Sequence, residues 1–341
     1  MSGPDVTRDG VQGARPGRQA PTGAHAGRRR RRRGRGRGEQ PMVPDAVFSS
    51  YYGKPVLNRP TWKALDIAGY LYLGGLAGAS SLLAAGGQFT GRPGLAAPAK
   101  LGAAGAISLS LAALVHDLGR PARFLNMLRV FKPTSPMSVG SWLLVGYAPL
   151  NLAAAAAEVA GRYRLLGSAA TAAAAVLGPA VATYTAVLLS DTAVPSWHEG
   201  YRQLPFVFAG SAATAASGLA LVAAPAAEAG PARRMGVLGA ALELAAFRAM
   251  KRHMGLAAEP LEQGGAHRLL RAAEALTAGG AALAVLSGRM RDRRLAVAAG
   301  AAWLTGSAAL RFGVFHAGVA SAEDPKYTVV PQRERLRARG R

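Results

Sequence analysis

The stretch His116-Asp117-Leu118-Gly119-Arg120-Pro121 sets an imidazole, a carboxylate and a guanidinium directly after the apolar run Leu101 to Val115. A second cluster, Ser190-Asp191-Thr192 followed by Trp197-His198-Glu199, closes another apolar run that begins at Leu165. Asp66 opens a third, so these ionisable groups are expected at a similar depth on one face. Tyr184 precedes Asp191 by two helical turns, which points both along one helix face with the phenol deeper. Phenols and imidazoles donate hydrogen bonds to ring oxygens, and carboxylates relay protons. Asp66, Tyr184 and Asp191 are therefore expected to receive an amphiphile with a polar head and an apolar tail, such as a quinone.

The elements that must position these groups are long apolar helices. Half of the chain is hydrophobic, aromatic residues make up 6%, and Ala and Gly are abundant. That composition suits close helix packing in lipid better than a soluble core of large side chains. Spanning a bilayer takes about 20 mostly apolar residues. The hydropathy pattern predicts an all-α integral membrane protein with eight spans, arranged as two four-helix bundles: Leu65 to Gly86, Leu95 to Val115, Val139 to Ala157, Leu165 to Leu189, Phe206 to Ala227, Met235 to Met250, Leu269 to Ser287 and Leu295 to Leu310. The membrane domain is expected over residues 47–318, followed by a basic tail over 319–341. The Arg/Gly/Pro-rich arm, residues 1–46, cannot bury enough apolar surface to fold alone and is expected to be disordered. It has no apolar h-region and so does not read as a signal peptide.

The formal net charge of +23 lies mainly outside the spans. The arm, the loops after the second, fourth and sixth spans and the C-terminal tail share one side and most of the Lys and Arg, which predicts a plasma-membrane protein with both termini cytoplasmic. Arg289, Arg291, Arg293 and Arg294 run against that trend. The arm reads as a solvated tail, against an attraction to anionic lipid or nucleic acid, with no specific nucleic-acid partner expected. The chain has no cysteine, which excludes disulfides, thiolate nucleophiles and cysteine-ligated iron-sulfur clusters within it. Its histidines read as span-end or loop residues, which argues against bis-histidine haem, and no zinc spacing or phosphate loop appears.

Plainer roles compete at each position. His116 and His198 could bind the last carbonyls of their helices, Asp66 could cap the first helix, and Arg120 and Arg123 could anchor the interface. Glu243, within the sixth span, is expected to pair with Arg311 or Arg271, either as a structural ion pair or on a proton path formed by Glu243 and Arg311. An ion- or proton-translocating transporter using Glu243, Arg248 and Arg311, and a purely structural anchor, remain open beside the quinone reading.

The wording of several segments goes beyond general chemistry. These are Ser50-Tyr51-Tyr52-Gly53-Lys54-Pro55, YLYLGGLAG from Tyr70, HDLGRPARFLNMLRVFKPTSPMSVGSW from His116 to Trp142, YTAVLLS from Tyr184, Trp197, Arg311 to Gly318, and DPKYTVVPQRER from Asp324. They resemble the NrfD/PsrC family, the integral-membrane subunit of polysulfide-reductase-like molybdopterin oxidoreductase complexes. The resemblance implies an eight-helix, haem-free protein that binds menaquinone or ubiquinone beside a docked iron-sulfur ferredoxin-like subunit, which connects to a molybdopterin catalytic subunit. It carries Asp66, Tyr70 and Tyr184 over as quinone contacts, although Asp66 matches no fixed family position. His116, Asp117, Arg120, Arg123, Trp197 and His198 become the expected partner-docking residues.

Overall fold

The computed structural model describes residues 5–7, 10–12 and 56–339. The arginine run, most of the remaining arm and the Ser50 to Pro55 motif lie outside the described residues. Within the arm, β1 (Asp5–Thr7) and β2 (Gly10–Gln12) pair antiparallel with Val6 opposite Val11. Val and Thr favour the extended backbone this pairing needs.

Everything else described is helical or connecting loop. The helices are α1 (Ala64–Phe89), α2 (Pro93–Asp117), α3 (Arg123–Met127), α4 (Pro136–Ala160), α5 (Arg164–Ser190), α6 (Pro195–His198), α7 (Leu204–Ala223) and α8 (Gly230–His253). A 3-10 segment, Gly255–Glu262, then leads to α9 (Gly264–Met290), α10 (Arg293–Glu323) and α11 (Lys326–Arg339). Their ends follow local chemistry. Proline, which lacks an N–H, stands in the first turn of α2, α4 and α6. Gly161 ends α4 in the left-handed region, and the Asp292 carboxylate caps α10 by accepting from the Arg294 N–H at 2.7 Å.

Seven helices, α1, α2, α4, α5, α7, α9 and α10, are long and apolar enough to cross a membrane. The outward surface agrees with that reading. Leu165 and Val176 are 87% and 78% exposed, and Leu109, Val159 and Leu238 also project outward. So many large apolar side chains facing out would be costly in water and are at home in lipid. The sixth expected span corresponds to α8, whose 24 residues reach roughly 36 Å, but its charged residues keep it out of this set.

Several expected boundaries move, and α8 and α9 each begin five residues before the expected starts at Met235 and Leu269. The fifth span was expected to reach Ala227, but α7 stops at Ala223, ahead of Pro225. The last was expected to end at Leu310, whereas α10 continues to Glu323. Arg311 and His316 interrupt its hydropathy without interrupting the helix. His316 is therefore inside a helix, on an exposed position, and not at a span end as expected.

Helix α1 packs on α2, α5 and α7; α4 packs on α5; α7 packs on α8 and α10; and α9 packs on α10. The α1–α5 crossing is set by two small residues: a Cβ on either Gly78 or Gly178 would lie 2.4 Å from the other's carbonyl oxygen. Ser81 Oγ fastens the crossing by donating to the Ala174 carbonyl at 3.2 Å. Only glycine permits this approach.

Candidate functional site

The first turn of α1 meets the last turn of α2 through two hydrogen bonds. His116 Nδ1 and Asp66 Oδ2 are 2.8 Å apart, and the Lys63 N–H donates to Asp117 Oδ1 at 3.2 Å. Asp66 sits inside the first turn and is buried, whereas the N-cap residue is Lys63, with no side-chain cap. The capping role considered for Asp66 is thus absent. Nor does His116 bind a helix-end carbonyl; its largely exposed imidazole faces a buried carboxylate. A proton can pass from solvent to Asp66 through such a pair.

The Gly78–Gly178 crossing gives a common origin for depth. Asp66 lies 12 residues before Gly78, and Asp191 lies 13 residues after Gly178. At 1.5 Å per residue both stand roughly 18–20 Å from the crossing, on the same face. By the same measure Tyr70 and Tyr184 lie roughly 9–12 Å from it, below that rim. The Tyr70 ring is buried, and its carbonyl accepts from Ser110 Oγ at 3.1 Å. The Tyr184 ring lies on Gly140 of α4, where a Cβ would approach Cε2 to 2.4 Å, and its hydroxyl is buried without a hydrogen-bond partner. Asp191 is exposed at the C-cap of α5. No hydrogen bond or ion pair joins Tyr184 or Asp191 to Asp66 among the described residues.

The expected docking residues separate into two groups. Arg120 and Arg123 are exposed in the loop between α2 and α4, with Arg123 Nη1 donating to the Leu118 carbonyl at 3.1 Å. Ser138 Oγ ties that loop by accepting from the Lys132 N–H and donating to the Val130 carbonyl, each at 3.0 Å. Leu125, Val130 and Phe131 project from it.

Trp197 does not belong with them. It is 1% exposed, its Nε1–H donates to the Val314 carbonyl at 2.9 Å, and its ring stacks on Trp62 at 5.9 Å. The indole fills the space between α6 and α10, so it cannot touch a partner. His198 fulfils the plainer expectation, donating from Nδ1 to the Ser190 carbonyl at the end of α5 at 2.9 Å.

A second polar cluster lies deep among α7, α8, α9 and α10. Thr277 Oγ1 donates to Glu243 Oε1 at 2.8 Å, and Thr214 Oγ1 approaches Oε2 at 3.5 Å. Arg311, fully buried, stacks on the Phe208 ring at 3.5 Å and donates from Nη2 to the Phe208 carbonyl at 3.0 Å; Nε and Nη1 have no partner. Glu243 and Arg311 make no direct ion pair among the described residues, but each lies within electrostatic range of the other, as the expected partnership requires. Arg271 is instead exposed beside Glu274 at 4.0 Å, and Arg248 also faces outward.

One buried charge passed unnoticed in the sequence. Lys100 stands in the otherwise apolar α2 and pairs with Glu158 of α4 at 2.6 Å. A lysine inside a span is itself the signal.

A multi-pass helical protein with no cysteine, whose described residues gather no group of three metal-ligating side chains, concentrates its polar chemistry at one rim and in one deep cluster. The chain belongs to the NrfD family: the description "Polysulphide reductase, NrfD" matches residues 55–321. Membership makes it a membrane subunit of oxidoreductase complexes. No curated protein matches the chain. The tail helix α11 lies beyond the matched residues.

Proposed function

We propose that this chain is the quinone-reactive subunit of a molybdopterin-type oxidoreductase complex, exchanging electrons between the membrane quinone pool and an iron-sulfur ferredoxin-like partner. In this reading α8, sixth in chain order, completes the set of eight spans. The helices form two four-helix groups, α1, α2, α4, α5 and α7, α8, α9, α10, in the plasma membrane with both termini cytoplasmic.

The observation that carries the reading is the Tyr184 hydroxyl, a buried donor with no acceptor among the described residues. Buried polar groups are almost always satisfied, and a ligand carbonyl would satisfy this one. A bound menaquinone or ubiquinone supplies coupled electron and proton chemistry there. Tyr184 would hold the ring oxygen, Tyr70 would line the wall, Asp66 would accept or give a proton, and His116 would relay it to solvent. Asp191 would mark the entrance from the same rim. Arg120 and Arg123, with the exposed Leu125 and Phe131, would receive the iron-sulfur subunit, which the molybdopterin catalytic subunit joins.

Glu243 and Arg311 would carry protons through the second group of helices. Their support is a buried carboxylate held by hydroxyls and a guanidinium with two donors to spare. The test is purification of the intact complex with quinone extraction and iron-sulfur spectroscopy. Bound quinone together with cluster signals supports the reading. Clusters without quinone would leave a structural anchor, and neither would leave a transporter.

A further inference from the structure

A cleft opens on the face opposite Asp66, where α1 and α4 end and α2 and α5 begin. Its volume is about 440 Å³, and its lining includes Gln88, Arg92, Lys100, Glu158, Arg164 and Ser168. Lys100 and Glu158 neutralise each other within it at 2.6 Å. Arg92 and Arg164 form no ion pair among the described residues, so they leave the cleft with uncompensated positive charge. Arg92 spends only one donor visibly, on Thr90 Oγ1. Gln88 Nε2 is a buried donor with no acceptor. The leading amides of α2 are not the source of this character, because Glu228 already accepts from the Leu95 N–H at 3.0 Å.

Three of the polar residues lining the cleft have an outward apolar neighbour in sequence. Phe89 follows Gln88, Val159 follows Glu158 and Leu165 follows Arg164, all exposed. Cationic and amide donors set immediately beside lipid-facing side chains match the boundary between a phosphate headgroup and its acyl chains. We infer that this cleft binds the phosphodiester of an anionic phospholipid, with Arg92 and Arg164 on the phosphate and Gln88 donating to it. Arginine forks suit phosphate oxygens. Free phosphate shares the chemistry but gains nothing from Phe89, Val159 and Leu165.

The test uses the full-length purified chain in detergent, with native mass spectrometry and thermal melting. Added phosphatidylglycerol should bind at least about tenfold more tightly than phosphatidylcholine and raise the melting temperature. Arg92→Ala/Arg164→Ala should abolish that preference, and Arg92→Lys/Arg164→Lys, which keeps the charge, should restore part of it. Melting of both variants in phosphatidylcholine alone reports whether they fold. Equal binding of the two lipids by the unaltered chain, or a preference for phosphatidylglycerol that survives in a folded Arg92→Ala/Arg164→Ala protein, would overturn the assignment. So would stabilisation by inorganic phosphate as large as that by phosphatidylglycerol.

Discussion

Asp66 and His116 join the first turn of α1 to the last turn of α2 across 2.8 Å, one carboxylate oxygen facing one imidazole nitrogen. Burial of Asp66 beside a solvent-facing His116 makes the pair a clasp, and under the proposed function it is also the proton route.

Asp66→Asn keeps the shape of the side chain but removes its proton affinity. Because His116 is two-thirds exposed, the loss of stability should stay below about 1 kcal/mol. Quinol oxidation by the assembled complex should fall at least about tenfold. Stopped-flow turnover set beside thermal melting checks this, and an unaltered rate removes Asp66 from the proton route.

Tyr184→Phe deletes a buried hydroxyl that has no partner among the described residues. Removing an unsatisfied polar atom is neutral or stabilising. The melting temperature should therefore hold or rise while quinol turnover drops about tenfold or more. A drop in both would mean that Tyr184 serves packing and not ligand binding.

Arg120→Glu with Arg123→Glu reverses two exposed charges in the loop between α2 and α4. Affinity purification through this chain should lose the iron-sulfur subunit, most clearly at low salt, where steering charges act furthest. Retention of the subunit at full stoichiometry would place the docking surface elsewhere.

Trp197→Ala should destabilise the fold by about 3–5 kcal/mol, since it empties a buried site and removes the hydrogen bond to the Val314 carbonyl. Denaturation in mixed micelles measures this. Partner loss without destabilisation would contradict the buried position of the indole.

Helix α11 is held to the 3-10 segment by Lys326 Nζ and Glu259 Oε2 at 2.6 Å. The Lys326 hydrogen bond holds the Glu259 carboxyl below its ordinary value of 4.5. With the folded value depressed, the contribution of this contact is fully present above the ordinary value and is lost as pH falls through the depressed one. Hydrogen exchange in α11, corrected for the intrinsic pH dependence of amide exchange, should thus stay slow at neutral pH and accelerate only under acid conditions. In Glu259→Gln it should be faster at neutral pH and lose that acid dependence.

The helices were legible because lipid imposes a continuous apolar run, and α1, α2, α4 and α5 fall within a few residues of expectation. Helix α10 was foreshortened because hydropathy cannot distinguish Arg311, which is buried against Phe208, from a charge that ends a span. The common depth of Asp66, His116 and Asp191 followed from their places at helix ends. That Asp66 takes His116, and that Tyr184 turns to Gly140, depends on helix rotation, which sequence spacing leaves open. Trp197 misled because an indole near a span end has the composition of a membrane interface, and only the tertiary fold shows that α10 covers it.

At Gly78 and Gly178 main chain rests on main chain, with no side-chain cushion to deform. Helices α1 and α5 therefore act as a single strut. One end carries the Asp66 and Asp191 rim and the other the Gln88 and Arg164 cleft, so a tilt imposed at either end reaches the other undamped. Spin labels at the two ends of this strut should keep a fixed separation whether or not a partner is docked.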